Sequence, residues 1–316
     1  MRNEVIAKEK VVVYGGGGFL GSHVSDALSD AGYSVRIFDL APSKYLRPDQ
    51  EMVVGDMLDV SATFAAAQGC AYVYNFAGLA DIDDAQNRPV DTVQLNVLGN
   101  VHCLEAARAA GAKRFIFAST VYVYSESGSF YRASKQASER FIEAYQERYG
   151  VDYTILRYGS LYGRRADAKN GIYRLLSQAL FEKRIDYSGA ANAMREYIHV
   201  TDAAKLSVQI LASEYANRHL VLTGQERMAV NNLMQMIAEM IPDQKIDFSF
   251  EDNPLPGHYI MTPYGFHPKV GHKLVANDYV DIGQGLLDCL AELYELKNAD
   301  KLQDGDWMVD NANTRD

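Results

Sequence analysis

Four consecutive glycines constrain this chain more than any other feature. They follow a β-branched run and precede a helix-forming one in "VVVYGGGGFLGSH" (residues 11–23). Gly15, Gly18 and Gly21 fall in G-x-x-G-x-x-G spacing. A strand that turns tightly into a helix needs a residue without a Cβ. A pyrophosphate asks for more. It must approach the backbone closely, and the helix N-terminus must offer unpaired N–H groups and the positive end of a dipole. A plain strand–helix turn also uses glycine but rarely takes four in a row. The strand–loop–helix setting therefore points to a dinucleotide. Gly15, Gly18 and Gly21, with Phe19 and Leu20 between them, are the first cofactor candidates.

The next acidic residues extend that site. Asp39 closes the run "SVRIFD" (34–39). A carboxylate there accepts hydrogen bonds from adenosine ribose hydroxyls and repels a 2′-phosphate, which favours NAD over NADP. The alternative is a strand-end Asp that only shapes a turn. In "VVGDMLD" (53–59), Asp56 could contact the adenine amino group, with Met57 beside the ring. The competing role is that of a helix N-cap, which suits Asp59 better than Asp56.

Apolar strands and helices alternate through the first half. Strands are expected at 10–14, 34–39, 51–56, 71–78, 113–120 and 151–159, and helices at 19–33, 89–111 and 131–149, with a short one near 59–70. This pattern predicts an α/β fold of the Rossmann type, a doubly wound parallel sheet covered on both faces. Such a sheet binds ligands at the carboxyl ends of its strands. The second half is less regular, with helices expected at 171–183, 201–213, 230–241 and 281–297 and a proline-rich loop at 251–271. The expected division is an NAD-binding domain over 1–165, with a return segment near 195–225, and a smaller, interleaved C-terminal α/β substrate domain over 166–316.

Composition narrows the class. The net charge of −10 argues against non-specific nucleic-acid binding. Three widely spaced cysteines suggest a reducing compartment, with neither a disulfide framework nor a metal site. There is no apolar run of the roughly 18 residues that a membrane span needs, and no signal-peptide pattern. The expectation is a cytoplasmic protein that does not associate with membranes.

One further pair carries chemistry. Tyr131 and Lys135 stand four apart in "GSFYRASKQASERF" (128–141). Residues so spaced share a helix face whatever the reason. With 21 tyrosines in the chain, a Y-x-x-x-K match arises about once by accident. Its address is more telling. "FIFASTVYVYS" (115–125) ends a strand at Ser119 and Thr120, and Tyr131 opens the next helix. A strand-end hydroxyl, a Tyr–Lys helix and a dinucleotide loop would converge on one sheet edge. There Tyr131 can act as general base toward an alcohol. Its phenol, ordinarily near pKa 10, is poised by the Lys135 ammonium. Thr120 can orient the same oxygen.

These residues together resemble the extended short-chain dehydrogenase/reductase superfamily, specifically its NAD-dependent nucleotide-sugar epimerase/dehydratase family. "YGGGGFLGSH" resembles T-G-G-x-G-F-I-G-S-H, "NFAGLAD" resembles H-F-A-G, "NVLGN" (96–100) resembles N-V-x-G-T, and "ASTVYVY" resembles S-S-x-x-V-Y-G. "YRASK" resembles Y-x-x-S-K, "LRYGSLYGRR" resembles L-R-Y-x-N-x-Y-G-P-R, and "MREYIHVTDAA" resembles R-D-Y-I-H-V-x-D-x-A. The resemblance implies Thr120, Tyr131 and Lys135 as a catalytic trio. It implies a cofactor lining of Phe76, Ala77, Gly78, Asn96, Tyr131, Lys135 and Tyr158, and Lys135 could also hold the nicotinamide ribose. It also implies a substrate site that includes Ala80, Tyr122, Ser160, Asn170 and Arg195, with Arg195 on a phosphate and Asn170 on the nucleotide. Arg195 could equally join a structural ion pair, and Asn170 could be a helix N-cap. A homodimer through helices 91–110 and 131–149 is also implied.

Within the family, the 4,6-dehydratases carry an Asp–Glu pair directly after the Thr. Here Val121 and Tyr122 stand there, which disfavours dehydration and favours 4-epimerisation through a transient 4-keto sugar. A 4-dehydrogenase or 4-ketoreductase on a nucleotide sugar is the nearest rival. A non-catalytic NAD-binding regulator would predict a broken Tyr–Lys pair. The chain also departs from the family pattern. Tyr14 replaces Thr, Ala80 stands where some epimerases have Lys, and Ser160 replaces Asn. Only the six residues 125–130 separate "VYVY" from Tyr131.

Overall fold

The apolar runs become strands because each is short, rich in β-branched and aromatic residues, and closed by a turn former. The computed structural model describes residues 8–224, 227–241 and 245–251. The helix at 281–297 and most of the loop at 251–271 lie outside the described residues. The chain opens with β1 (Lys10–Tyr14), α1 (Phe19–Asp30), β2 (Ser34–Asp39), β3 (Glu51–Val54), α2 (Val60–Ala67) and β4 (Tyr72–Asn75). It continues through α3 (Ile82–Asn87), α4 (Pro89–Val93), a π-helical turn (Gln94–Leu98), α5 (Gly99–Ala109), β5 (Arg114–Thr120), a 3-10 turn (Val121–Tyr124), α6 (Ser129–Tyr149) and β6 (Tyr153–Tyr158). Then come β7 (Ser160–Tyr162), α7 (Gly171–Ser177), β8 (Arg184–Ser188), β9 (Met194–His199), α8 (Val200–Gln209), β10 (Arg218–Leu222), β11 (Arg227–Ala229), α9 (Val230–Met240) and β12 (Asp247–Glu251).

Seven strands form one parallel sheet in the order β10-β6-β5-β4-β1-β2-β3. The chain winds outward from β1 to β3, then returns to start β4 on the other side of β1. This reversal opens a crevice at the carboxyl ends of β1 and β4, where the glycines follow. One face of the sheet is covered by α1 packed against α8, with Val24, Leu28, Ala203 and Ala204 in the same core as Val11, Val13 and Ile116. The other face is covered by α2, α5 and α6 through Ala66, Cys103, Leu104 and Ile142. The core strands are apolar on both faces, which is why they read as unbroken hydrophobic runs. This is the Rossmann-type doubly wound sheet.

Beyond β6 the chain builds two small sheets, β11-β9-β7 and β12-β8, and comes back to add β10 parallel to β6. Helices α7 and α9 share a separate apolar cluster that includes Leu175, Ile185, Met234 and Ile237. Two expected helices are interrupted. The run 89–111 contains the π turn 94–98, and the run 171–183 ends in a second π turn, Gln178–Glu182. The strands β7, β8 and β9, built from SLY, RIDYS and MREYIH, are not among the expected strands. Among the described residues no helix is long and apolar enough to cross a membrane.

Candidate active site

The glycine loop is shaped by contacts that exclude side chains. Gly15 adopts φ +74° and donates its N–H to the Phe38 carbonyl at 2.8 Å. A Cβ on Gly15 would lie 2.6 Å from the Ala77 nitrogen, and one on Gly21 would lie 2.1 Å from the Gly15 carbonyl oxygen. Gly18 is the N-cap of α1, with no side chain capping the helix, so the loop leads a bare helix N-terminus into the crevice. The Asp39 carboxylate accepts the Gly17 N–H at 2.9 Å and the Leu40 N–H at 2.8 Å. It therefore shapes the turn and also borders the crevice. Tyr14, in place of a family Thr, points away from the loop. It donates to the Thr63 carbonyl at 2.6 Å and packs edge-on against Phe38, pinning α2 to the sheet.

Asp56 and Asp59 divide their tasks. Asp59 caps α2 by accepting the Ala62 N–H at 3.1 Å. Asp56 accepts the Leu58 N–H at 2.9 Å and borders the crevice, together with the buried Met57. Phe76, Ala77 and Gly78 form the opposite wall. Asn96 does not line the cavity. It is 3% exposed, and its amide is committed to the wall behind: it accepts the Leu79 N–H at 2.7 Å and donates to the Leu79 carbonyl at 3.0 Å and to Ser134 Oγ at 2.9 Å. One turn on, Asn100 accepts from Asn75, whose own carbonyl takes the Ala77 N–H. The two asparagines thus brace both sides of Gly78. The π turn sets the first of them in place, a local widening of the helix often found beside functional sites.

The expected trio meets in space. Tyr131 and Lys135 rise from the first turns of α6, and Thr120 ends β5. Tyr131 and Thr120 line the same two cavities, and burial pushes the Tyr131 pKa up to about 12, with Thr120 acting in the opposite direction. Lys135 is 6% exposed; its ammonium donates to the Ala118 carbonyl at 2.8 Å and lies 4.7 Å over the Phe117 ring and 5.8 Å from the Tyr131 ring centre. Burial pulls its pKa down to about 8, opposed by the charge of Glu139. The connection that delivers Tyr131 is tightly built. Gly128 and Ser129 both take positive φ (+102° and +45°), Ser125 Oγ accepts the Ser127 N–H at 2.9 Å, and Arg132 donates to the Ser125 carbonyl at 2.7 Å. Gln136 adds a bond to the Val123 carbonyl at 2.9 Å.

Two cavities meet at this trio. One, of about 620 Å³, runs from the glycine loop past Asp39, Asp56 and Gly78 to Thr120, Tyr131 and Lys135. The other, of about 520 Å³, starts at Thr120, Tyr122 and Tyr131 and extends past Ser160 to Arg195. Ala80, Tyr158 and Asn170 border both. The Tyr158 phenol is tied to Ser207 Oγ at 2.6 Å, and burial pushes its pKa upward, so its ring forms wall while its hydroxyl stays protonated. Asn170 caps α7 through the Tyr173 N–H at 3.1 Å and donates to the Leu161 carbonyl at 2.8 Å. The acidic neighbour of Arg195, Glu196, pairs with Arg227 at 2.9 Å, while the 8%-exposed Arg195 borders the second cavity and donates to the Met194 carbonyl at 3.0 Å. Sequence reading did not single out Lys169, Arg174 or Tyr197 on this wall, or Glu139 behind Lys135. Lys169 lies in a turn, Arg174 on α7 and Tyr197 on β9. Glu139 could have been found as the carboxylate one turn beyond the Lys.

The crevice has the features a dinucleotide requires: a Cβ-free turn, an uncapped helix N-terminus and an acidic strand end. The sequence profile of the NAD dependent epimerase/dehydratase family matches residues 11–222. The chain belongs to this family. It is an NAD-dependent enzyme on an epimerase/dehydratase fold. A putative UDP-glucose 4-epimerase of Methanocaldococcus jannaschii is 28% identical over 255 residues, 73% of this chain and 82% of the relative. Among solved structures, the UDP-N-acetylglucosamine 4-epimerase of Methanobrevibacter ruminantium, in complex with UDP-N-acetylmuramic acid, superposes with a TM-score of 0.74 at 26% identity, covering 82% of this chain and 89% of that one. The Thermus thermophilus UDP-glucose 4-epimerase complexed with NAD shares the epimerase/dehydratase fold, with a TM-score of 0.72 at 24% identity over 83% of this chain and 95% of that one.

The role of Asp39 yields one expected result. Asp39→Asn keeps an acceptor for the Gly17 N–H but removes the charge. NAD binding should weaken about tenfold, as expected from one charge-assisted hydrogen bond worth ~1.5 kcal/mol. NADP binding should strengthen at the same time. Fluorescence titration of both nucleotides measures the ratio; an unchanged ratio would show that Asp39 acts only on the turn.

Proposed function

We propose that the protein is an epimerase acting on a nucleotide-activated sugar through a transient 4-keto intermediate, with Tyr131 as general base. The observation that carries this reading is that Tyr131 and Thr120 line both cavities, side by side where the two meet. When bound in the first cavity, NAD supplies a hydride acceptor and donor and a positive ring. Tyr131 takes the proton of a sugar hydroxyl and returns it, Thr120 holds the same oxygen, and Lys135 stabilises the phenolate. Arg195 meets the substrate phosphates, and Tyr122, Ser160 and Asn170 contact the sugar nucleotide. Val121 and Tyr122 follow Thr120, and neither supplies the carboxyl proton transfers of water elimination, which favours epimerisation over dehydration. The substrate wall is assigned to a smaller domain over 166–316, and the NAD wall to 1–165 with the return segment near 195–225.

The test is incubation of the NAD-loaded protein with UDP-glucose, UDP-N-acetylglucosamine and GDP-mannose, with products identified by NMR. The expected result is an inverted sugar with no added cofactor and no net NADH. Stoichiometric NADH would replace this reading with that of a 4-dehydrogenase.

We also infer a homodimer. The α4 and α6 segments expose Val90, Val93, Phe130 and Phe141, and apolar residues on adjacent helices suit a helical interface. Val93→Asp should convert a sedimenting dimer to a monomer; a wild-type protein that sediments as a monomer removes the inference.

A further inference from the structure

Lys135 has an unusual neighbourhood for a charged group. Its ammonium sits in an apolar wall, over Phe117, with a carbonyl as its hydrogen-bond acceptor. Burial of this kind favours a neutral amine. The carboxylate whose charge acts on it belongs to Glu139, one turn further along α6 and 1% exposed. Glu139 is itself held on several sides. Ser119 Oγ, from β5, donates to one carboxylate oxygen at 2.5 Å. Arg157, from β6, makes a bidentate pair with it, Nε to Oε1 at 3.0 Å and Nη2 to Oε2 at 2.6 Å. His219, from β10, approaches to 3.7 Å and also contacts Glu143 of α6 at 3.0 Å. Tyr124, from the 3-10 turn, is hydrogen-bonded to Arg157. Burial pushes the Glu139 carboxyl up, but hydrogen bonds from Arg157 and Ser119, with His219 nearby, overcome it and hold the pKa at about 2.

We propose that Glu139 is a positioning residue for the acid/base unit: pinned between Ser119 and Arg157, its carboxylate keeps the buried Lys135 ammonium protonated and so holds the Tyr131 phenol within reach of its ionised form. Desolvation explains why the site needs it. Without the carboxylate, no opposite charge offsets the burial that favours the neutral amine, and Lys135 gives up its proton. Tyr131 then faces a neutral amine and ionises only at higher pH. The proposal rests on the reading of Tyr131 as general base.

The experiment is a pH titration of the NAD-loaded protein, read by the near-ultraviolet absorbance of tyrosinate. Each protein is compared with its own Tyr131→Phe counterpart, so that the difference isolates the Tyr131 phenol. Glu139→Gln should move the midpoint upward by at least about one pH unit, roughly tenfold less phenolate at neutral pH. The rise of epimerase activity with pH should move with it, and Glu139→Asp should restore most of the shift. Glu139→Gln leaves Arg157 buried and unpaired and could unfold the protein. The double variant Glu139→Gln/Arg157→Gln removes both charges and should show the same upward direction. A midpoint unchanged in whichever of these variants folds overturns the proposal. A wild-type difference that shows no titration of Tyr131 in the working range overturns instead the general-base reading beneath it.

Discussion

Gly21→Ala should abolish NAD binding, with affinity falling at least about a hundredfold. The added methyl group would sit 2.1 Å from the Gly15 carbonyl oxygen and 2.9 Å from the Gly16 Cα. Both obstacles are backbone, so no side chain can swing aside. The start of α1 would have to move away from β1, which widens the turn and carries the helix N-terminus off the pyrophosphate path. That movement also disturbs the packing of α1 on α8 and the sheet, a cost of about 1–3 kcal/mol for overpacking. Gly18→Ala is the informative contrast. Gly18 has an ordinary extended backbone (φ −77°, ψ −177°), and the nearest atom to an added Cβ is 3.4 Å away. Its melting temperature should stay near that of the wild type, whereas Gly21→Ala should melt several degrees lower. Calorimetric titration with NAD, paired with thermal melts, separates the two. Wild-type NAD affinity in Gly21→Ala would mean that the loop does not meet the cofactor through its backbone.

Tyr131→Phe should lower kcat by about 10³-fold, within the range lost when a positioned acid/base is removed. The ring remains, so its edge contact with Tyr122, at 6.4 Å between centres, and the fold around α6 should survive. NAD content should be unchanged, because the loop, Asp39 and the 76–79 wall are untouched. The proton-transfer role is thereby separated from binding: KM should change little while kcat collapses. Full activity in this variant would refute the mechanism.

How far the sequence could be read depended on the kind of order each feature uses. The large sheet was legible because its strands are buried on both faces and its turns are marked by glycine and aspartate. The loop at 15–21 was legible because the Cβ exclusion it needs leaves a residue-type signature. Residues that act through tertiary contact were less so. Asn96 matches a family position expected to line the cofactor, yet the π turn directs its amide into the wall behind Gly78, which a regular 3.6-residue period over 89–111 does not anticipate. Glu139 lies in the very stretch that drew notice to Tyr131 and Lys135. Its partners Ser119, Arg157 and His219 come from three other strands, and only the sheet order brings them together. The strands β7 to β9 escaped notice because SLY, RIDYS and MREYIH mix polar and charged residues with apolar ones and lack the unbroken β-branched runs of the large sheet.

The tightly built connection from Tyr124 to Tyr131 bears on how a ligand would meet the site. The segment 125–128 is already fixed by its own hydrogen bonds and by the left-handed residues Gly128 and Ser129. The conformational entropy of ordering it is therefore lost on folding and not on ligand association. A longer insertion at this point could fold over a bound sugar and tighten its grip, but each encounter would bear the cost of ordering it. Here the phenol waits in a preformed position beside the cavity whose walls include Ser160, Asn170 and Arg195.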